Sequence, residues 1–441
     1  MEFLSNLLSD LSNIVWGPVM LIFLVGTHVF LTFRLGIIQK YVFKGIKLSF
    51  QTHKEGKGDI SHFGALMTAM AATVGTGNIV GVATAIAAGG PGAVLWMWLT
   101  GVFGIATKYS EALLSVKYRI TNEKGFISGG PMYVLERGMN AKWLAVIFAV
   151  FTAVAAFGIG NTVQANSLAV LIHDTFNISP WITGTIVTII TAVVILGGVR
   201  SISKTCEKLV PFMIIFYIVG CIVVLALKYE TIPDSIILII KSAFTGQAAV
   251  GGFLGSTIRE AMRFGVSRGL FSNESGMGSA PIVAAAAQTK EPVRQALVSS
   301  TGTFWDTVII CALTGIVIVN SGDWKEGFNG VILTKETFAD MGITGTFILA
   351  IALFTFVFST ILGWSYYGEK AVEYLWGTKA ILPYRWLWVI AVFVGSVVTM
   401  PMVWSFADIA NALMAIPNLI SLWVLNGVIV TETRKYFAKE A

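Results

Sequence analysis

The sequence predicts an all-α polytopic membrane protein of about eleven transmembrane helices, in which two inverted five-span repeats follow one extra N-terminal span. Composition is the first reason: of the 441 residues, 55% are hydrophobic and only 12% are charged, and the mean hydropathy is +0.77. Apolar runs of about 20 residues, long enough to cross a bilayer, recur along the whole chain. The second reason is the distribution of basic residues, and the third is a pair of interrupted apolar segments.

The apolar runs are separated by short stretches that contain glycine, proline or charged residues. We predict spans at about residues 15–33, 62–88, 93–116, 143–171, 181–198, 209–227, 235–258, 295–319, 344–367, 386–403 and 408–430. The three cysteines have no metal or redox spacing. The N-terminal residues show neither the basic region of a signal peptide nor a lipidation motif.

Lysine and arginine positions predict the orientation, because cytoplasmic loops of membrane proteins are enriched in these residues. With the eleven spans above, 26 of the 30 basic residues fall in loops on one side of the membrane. The other four are Lys228, Lys241, Lys325 and Lys335. We therefore expect the N-terminus outside and the C-terminus in the cytoplasm. This topology accounts for the net charge of +6 without a nucleic-acid partner.

The second span is interrupted by the sequence Gly-Thr-Gly-Asn-Ile-Val-Gly at residues 75–81. Glycine costs roughly 1 kcal/mol relative to alanine in a helix interior, and each orphaned backbone group in hydrocarbon costs several kcal/mol. A break is tolerated where it is buried in protein or lines a wet cavity. The N–H groups of one half-helix then form an anion site, and the carbonyl groups of the other half form a cation site. The alternative is a glycine face that only packs helices closely.

A similar pattern occurs in the second half of the chain. Residues 76–82 read Thr-Gly-Asn-Ile-Val-Gly-Val, and residues 245–251 read Thr-Gly-Gln-Ala-Ala-Val-Gly. The first copy lies in a span predicted to run outward and the second in a span predicted to run inward, as in inverted-repeat transporters. We therefore predict an extra span and basic loop at 1–58, a first repeat at 59–230, and a second repeat at 231–441.

Three further stretches resemble the alanine or glycine:cation symporter family, the sodium:alanine symporters of bacteria and archaea. They are GGPGAVLWMWLTGVFG at 89–104, GLFSNESGMGSAPIVAAAA at 269–287 and FSTILGWSYYGEK at 358–370, with Leu95 where the family usually has phenylalanine. The resemblance implies a LeuT-type fold of the amino acid–polyamine–organocation superfamily. It also implies a prokaryotic cell membrane as the location, Na⁺ as the co-transported ion, and alanine or glycine as the substrate.

An amino acid zwitterion needs N–H donors for its carboxylate and oxygen acceptors for its ammonium group. We predict that the carboxylate binds the backbone at the start of a half-helix, at Gly75, Thr76 and Gly77. Freed carbonyl groups near Phe244 and Thr245, together with the Gln247 amide, suit the ammonium group. The alternative for Thr245 and Gln247 is that they only satisfy the interrupted backbone locally.

One face of the fourth span carries an aromatic ring and two amides at positions i, i+4 and i+7. These residues are Phe157, Asn161 and Gln164. Amides are costly at this depth unless they face the interior of the bundle, and the resemblance places this face in the substrate pocket. The alternative is a set of hydrogen bonds that only pack helices, with Phe157 as ordinary core.

The resemblance also implies two Na⁺ sites. The first uses the carbonyl oxygens of Ala71, Val74 and Phe356 and the hydroxyls of Ser359 and Thr360. The alternative for these hydroxyls is hydrogen bonding to the preceding helical turn. The second site uses the carbonyl of Thr73 with the side chains of Asn78 and Thr245.

Asp306 is the one acid well inside a predicted span. Such an acid marks an ion or proton relay, or it forms a structural pair with Arg259 or Arg263, which is the interpretation we favour. No constellation of acid, base or metal ligands points to an enzyme, and the internal repeat argues against a channel. The sequence therefore predicts a sodium-coupled symporter, with a proton-coupled small amino acid permease as the alternative.

Overall fold

The chain is almost entirely helical in the computed structural model, which describes residues 7, 10–11, 14–51, 56–245, 257–398 and 401–440. Two short strands, β1 (Ile120–Thr121) and β2 (Ile127–Ser128), form an antiparallel hairpin. The helices of the first half are α1 (Pro18–Arg34), α2 (Val42–Ser49), α3 (His62–Thr73), α4 (Val82–Gly89), α5 (Ala93–Lys117), α6 (Pro131–Met139), α7 (Lys142–Phe157), α8 (Val163–Phe176), α9 (Pro180–Ile195) and α10 (Gly198–Leu227).

Among its described residues, the second half contains ten further α-helices. They are α11 (Ile232–Phe244), α12 (Ile258–Asn273), α13 (Pro281–Ala284), α14 (Pro292–Thr303), α15 (Ala312–Ser321), α16 (Gly330–Ala339), α17 (Ile343–Trp376), α18 (Ile381–Val397), α19 (Pro401–Val424) and α20 (Asn426–Glu440). Wider π-helical turns at Gly77–Gly81, Gly158–Thr162 and Phe304–Cys311 continue into α4, α8 and α15. Such turns expose backbone groups inside a helix and are frequent at functional sites.

Several of these helices have the length and composition of membrane spans. Five of the described helices pass that test alone, and three bent pairs pass it when each pair is taken as one span. One of the bent pairs is α3 with the helix from Gly77 to Gly89, which turns by 51° at the predicted break. The protein is therefore a polytopic all-α membrane protein, and the number of eleven spans stays a prediction.

The chain forms a second break at residues 274–280, between α12 and α13. Glu274, Gly276 and Gly278 have φ angles of 54°, 89° and 83°. Residues with a β-carbon rarely adopt this left-handed region, and glycine adopts it without strain. The second break therefore lies inside the segment Ser-Asn-Glu-Ser-Gly-Met-Gly-Ser-Ala-Pro, about 30 residues beyond the position that the sequence pattern predicts.

The two broken helices run antiparallel, with their breaks side by side. At one end, a β-carbon built on Gly89 would lie 3.1 Å from the Cα of Ala261 in the first turn of α12. At the other end, the Gln288 N–H donates to the Ile60 carbonyl at 2.8 Å. We call the end with Gly89 the outer end and the end with Ile60 the inner end, following the predicted orientation. Inverted half-helices thus cross the core of the bundle.

Helix α11 occupies the place of the predicted seventh span but lies along the outer end. Ser235, near its start, donates to the Asn320 side chain at 3.0 Å, and Asn320 belongs to the last turn of α15. At its other end, the Ala243 carbonyl accepts a hydrogen bond from the Trp96 indole at 3.2 Å. Both partners lie at outer helix ends, so α11 does not cross the bundle, and α12 begins at the outer end.

This arrangement changes the position of three arginines. Arg259, Arg263 and Arg268 belong to α12 and lie in the outer half, whereas the predicted span boundaries placed them inside. The predicted inner side then holds 23 of the 30 basic residues. The excess on that side persists, so the orientation expected from the basic residues is unchanged.

Candidate functional site

The first break lies where the two broken helices approach each other most closely. Helix α3 ends at Thr73, and Val74 is extended with φ −78° and ψ 94°. A β-carbon on Gly77 would lie 3.2 Å from the Cα of Ser272, in the last turn of α12. A β-carbon at this position would therefore crowd α12, so Gly77 permits the close approach of the two broken helices.

Polar groups around the first break satisfy part of its backbone. The Gly75 N–H donates to the Asn78 side-chain oxygen at 2.9 Å, and the Thr76 N–H donates to the Gln164 side-chain oxygen at 3.3 Å. Gln164 in turn donates to the Ile159 carbonyl in the π-helical turn of the fourth span at 2.9 Å. The buried Thr76 hydroxyl has no hydrogen-bond partner within the described residues. The break therefore leaves one buried hydroxyl that the described residues do not satisfy.

The first predicted Na⁺ site is assembled around α17. The Ser359 and Thr360 hydroxyls each donate to the Phe356 carbonyl at 2.9 Å. The Thr360 hydroxyl also lies 3.4 Å from the Val74 carbonyl at the first break. These hydrogen bonds are the ones expected if the hydroxyls only satisfy the preceding helical turn. The approach of the Thr360 hydroxyl to the Val74 carbonyl is the contact expected of an ion site. Ala71 is fully buried one turn before the break.

The oxygens around α17 are all neutral, and Phe356, Ser359 and Thr360 are buried; hard cations bind oxygen ligands of this kind. The described residues contain no group of three or more His, Cys, Asp or Glu side chains that could hold a metal ion.

The three residues of the second predicted Na⁺ site do not meet. The Thr73 hydroxyl bonds back to the Ala69 carbonyl at 3.2 Å, and Asn78 contacts the eighth span. Thr245 is exposed at the outer end, where its hydroxyl donates to the Lys241 carbonyl at 2.7 Å. Thr245 is far from the break because α11 lies across the outer end, so the sequence pattern misplaced this ligand.

The predicted ammonium site also lies apart from the first break. Phe244 is 56% exposed and packs edge-to-face on Trp96, with ring centroids 5.8 Å apart. Gln247 lies outside the described residues. All of the Thr-Gly-amide pattern at 245–251 except Thr245 lies outside the described residues, and the break that the described residues show in this half is the one at 274–280.

Phe157 and Asn161 join the fourth span to α18. The Phe157 ring lies 5.3 Å from both the Tyr384 and the Trp388 rings. The Asn161 amide donates to the Trp388 carbonyl at 2.9 Å. These contacts correspond to the packing alternative, whereas Gln164 on the same face reaches the break. The difference arises because Asn161 lies in the π-helical turn and Gln164 lies after it. The wider turn rotates the residues that follow it about the helix axis, so the two side chains point in different directions.

Asp306 bridges the two broken helices, and the expected pair with Arg259 or Arg263 does not form. Its carboxylate accepts from the Asn78 amide at 2.7 Å, from the Ser272 hydroxyl at 3.1 Å and from the neighbouring Thr307 hydroxyl at 2.6 Å. Asp306 is fully buried. The expectation was wrong because α12 enters from the outer end, so its arginines lie far along the helix from the eighth span.

Further buried charges stabilise the second break. The Glu111 carboxylate accepts from the Gly278 N–H at 3.0 Å and from the Asn418 amide at 2.6 Å. The Glu274 carboxylate accepts from the Ser279 hydroxyl at 2.5 Å. Lys108, one turn before Glu111, is 3% exposed, and its ammonium group has no hydrogen-bond partner within the described residues. Sequence analysis missed this set, although Glu274 belongs to the conspicuous block at 269–287.

Arg119 fastens the inner ends of both broken helices. Its guanidinium donates to the carbonyls of Ala285, Ala287 and Thr289 at 2.7 Å each and to the Lys57 carbonyl at 2.8 Å. These carbonyls belong to the chain that leaves α13 and the chain that enters α3. The guanidinium therefore closes the inner end.

The nearby Asp59 carboxylate joins the β-hairpin to the same inner end. It accepts a hydrogen bond from the Ile127 N–H at 2.8 Å. Burial raises the pKa of the Asp59 carboxyl, and the Ile127 hydrogen bond opposes this rise.

At the outer end, a cavity of about 390 Å³ lies above the first break. Its described lining includes Gly81 on the first broken helix, Ser167 on α8, Phe271 on α12 and Gly330 at the start of α16. The Phe271 ring forms the floor, because it lies 3.3 Å from a β-carbon built on Gly77. We call this space the outer cavity, and it leads from the outer end to the break.

The chain matches the family model described as the sodium:alanine symporter family over residues 1–441. It is 49% identical to the sodium/alanine symporter AgcS of Methanococcus maripaludis, with 99% of this chain and 98% of that protein covered. It is also 34% identical to the probable sodium/glutamine symporter GlnT of Bacillus subtilis, with 99% and 91% covered.

Solved structures with the same fold include MhsT in complex with L-phenylalanine and a Na⁺-coupled sialic acid symporter. MhsT has a TM-score of 0.59 and 15% identity, with 86% of this chain and 93% of that chain covered. The sialic acid symporter has a TM-score of 0.52 and 12% identity, with 95% and 86% covered.

Proposed function

Because the chain belongs to the sodium:alanine symporter family, we propose that it imports a small neutral amino acid together with Na⁺ by alternating access. One observation carries the proposal: neutral oxygens of Val74, Phe356 and Thr360 converge next to the first break. The Thr76 hydroxyl at this break has no hydrogen-bond partner among the described residues. A cation bound to these oxygens stabilises a carboxylate held at the adjacent N-terminus of a half-helix. Such a site couples the binding of the ion to that of the zwitterion.

We propose that the carboxylate binds at Thr76 and Gly77, and that Gln164 holds this part of the break in place. The amide of Gln164 is oriented by the Ile159 carbonyl, so its oxygen is aimed at the Thr76 N–H. Freed carbonyl groups at the second break, next to Ser272, supply acceptors for the substrate ammonium group. This assigns to the second break the role that sequence analysis gave to Phe244 and Thr245.

The walls around the break favour alanine and glycine over larger substrates. Phe271 covers the outer side, and fully buried Trp364 packs directly against Gly160 of the π-helical turn. Family membership does not determine the size of the substrate, because a relative is named for glutamine. Since a misfitting methylene costs about 1–3 kcal/mol in a tight pocket, leucine should compete poorly with labelled alanine. Competition by leucine at the same concentration as alanine would contradict the small pocket.

For topology, we propose the boundaries 1–58, 59–230 and 231–441, an N-terminus outside and a C-terminus in the cytoplasm. The antiparallel course of the two broken helices supports two inverted repeats. The inner closure by Arg119, combined with an outer cavity that reaches Phe271, corresponds to an outward-facing state. Import then requires the Arg119 hydrogen bonds to break as the outer cavity closes.

The function is tested with purified protein in proteoliposomes by uptake of labelled alanine. A Na⁺ gradient should drive accumulation, and replacement of Na⁺ by choline should abolish it. A pH gradient without Na⁺ should not drive uptake, because in this proposal Na⁺, and not a proton, is the coupling ion. Uptake that follows the pH gradient and ignores Na⁺ would refute the proposal.

A further inference from the structure

Lys108 is a buried cation beside both broken helices. It lines a cavity of about 10 Å³ together with Met70 and Thr73 in the last turn of α3 and Asn273 at the end of α12; such a cavity holds about one water molecule. Lys108 is 3% exposed, and its ammonium group has no hydrogen-bond partner within the described residues. The cation therefore lies next to the C-terminal ends of two half-helices, where the helix dipole favours positive charge.

The proposed Na⁺ site lies at the end of the same half-helix. Its predicted ligands include the carbonyls of Ala71 and Val74, and Val74 directly follows Thr73. The Val74 carbonyl lies 3.4 Å from the Thr360 hydroxyl on α17. An α-helix with its side chains is about 10–12 Å across, so we expect the Lys108 ammonium group and the ion to be about 10 Å apart. Two cations, one fixed and one transported, thus share the C-terminal end of α3.

Other buried titratable groups act on the same space. Glu111, Glu274 and Asp306 interact electrostatically with Lys108, and so does the buried His28. Carboxylates attract a nearby Na⁺ ion, whereas an ammonium group repels it. Removal of the Lys108 charge would leave the acids in excess, so the ion site would become more attractive to Na⁺.

We propose that Lys108 sets the Na⁺ affinity of the transporter: its fixed positive charge weakens Na⁺ binding at the end of α3, so that the ion is released in each transport cycle. This inference rests on the proposed function, because it requires Na⁺ at the oxygens of α17 and the first break. At an effective dielectric constant of about 20, repulsion between unit charges about 10 Å apart corresponds to about a tenfold change in affinity.

The first test is the Na⁺ dependence of alanine uptake by the parent and by Lys108→Met in proteoliposomes, with choline chloride added to keep the ionic strength constant. Methionine keeps most of the side-chain length and removes the charge. The Na⁺ concentration for half-maximal uptake should fall about tenfold, and kcat should fall because a tightly bound ion dissociates slowly. Lys108→Arg keeps the charge and should retain the parent Na⁺ dependence. Damage to packing would raise the half-saturating Na⁺ concentration, so the direction of the change separates charge from structure.

An opposite change of charge on the same helix checks the sign. Glu111→Gln removes a negative charge and keeps an oxygen for the hydrogen bonds that Glu111 accepts from Gly278 and Asn418. It should raise the half-saturating Na⁺ concentration, and the double variant Lys108→Met/Glu111→Gln should return toward the parent value. Lys117→Met is the matched control: it makes the same substitution nine residues later on α5, where the side chain is partly exposed, and it should leave the Na⁺ dependence unchanged.

Binding of radioactive Na⁺ to the purified protein gives a second measurement that does not depend on transport. Without alanine, Lys108→Met should bind Na⁺ with a lower Kd than the parent. If Lys108→Met does not insert, Lys108→Gln, which keeps a polar group in the cavity, is measured in its place. A half-saturating Na⁺ concentration and a Kd equal to or above the parent values would overturn the inference. The parent must show Na⁺-driven uptake in the same vesicles, so failure of the proposed function is seen separately.

Discussion

Removal of the Thr360 hydroxyl isolates the proposed Na⁺ site from the rest of the structure. In the protein this hydroxyl lies 2.9 Å from the Phe356 carbonyl and 3.4 Å from the Val74 carbonyl. With Na⁺ bound, the Thr360 oxygen would be one of about five ligands. Thr360→Ala leaves the cation under-coordinated in a site where water is excluded and where no described carboxylate compensates.

The size of the effect follows from the charge of the bound ion. An interaction between a dipole and a charged group contributes about 1.5–3 kcal/mol, which corresponds to roughly 10- to 150-fold in affinity. The Na⁺ concentration for half-maximal alanine uptake should therefore rise at least tenfold. Alanine affinity at saturating Na⁺ should change little. Because coupling between ligands is reciprocal, alanine binding at low Na⁺ should weaken by the same factor.

Two controls separate the ion from folding. Thr360→Ser keeps the hydroxyl and should retain nearly the parent Na⁺ dependence. Thr355→Ala removes a hydroxyl from the same helix that only bonds back to Ile351 and Ala352, at 3.0 and 2.9 Å. It should cost about 1 kcal/mol of stability without a change in Na⁺ dependence.

The assay is uptake of labelled alanine into proteoliposomes over a series of Na⁺ concentrations, with the amount of inserted protein measured for each variant. If Thr360→Ala and Thr355→Ala show the same Na⁺ dependence as the parent, the ion does not bind at this position. The two hydroxyls of α17 would then serve only to satisfy the preceding helical turn.

Three further predictions concern the breaks and the inner closure. Gly77→Val should abolish alanine binding, because its side chain would meet Ser272 and fill the space for the carboxylate; normal binding affinity would mean that the break only packs helices. Asp306→Asn should weaken uptake at least tenfold, because it replaces an acceptor for Asn78 and Ser272 by a group that also donates; parent-like kinetics would show that the bridge is dispensable. Arg119→Gln should speed labelling of a cysteine introduced at Ile60, since the inner ends of the broken helices lose the Arg119 hydrogen bonds; unchanged labelling would mean that these hydrogen bonds do not keep the inner end closed.

Local patterns were sufficient for several features of this protein. Composition and hydropathy predict a polytopic helical protein, because a bilayer imposes the same length and apolarity on every span. The first break was also predictable, because Gly75 and Gly77 are unfavourable in a helix interior wherever the helix lies. The spacing of Ser359 and Thr360 after Phe356 correctly placed these groups together, since positions three and four residues apart share a helix face.

The sequence by itself therefore determined the helical membrane class, the first break and the oxygens of α17, all of which depend on residues near each other in the chain. Only the tertiary structure decided the second break, because its freed backbone needs partners such as Glu111, which is distant in sequence from Gly278. It also decided that the apolar α11 lies across the outer end, since hydropathy is the same for a helix that crosses the bundle and one that covers it. Asp306 joins Asn78 to Ser272 because three separate helices pack together there. A contact of this kind cannot be predicted from residues that are near each other in the chain.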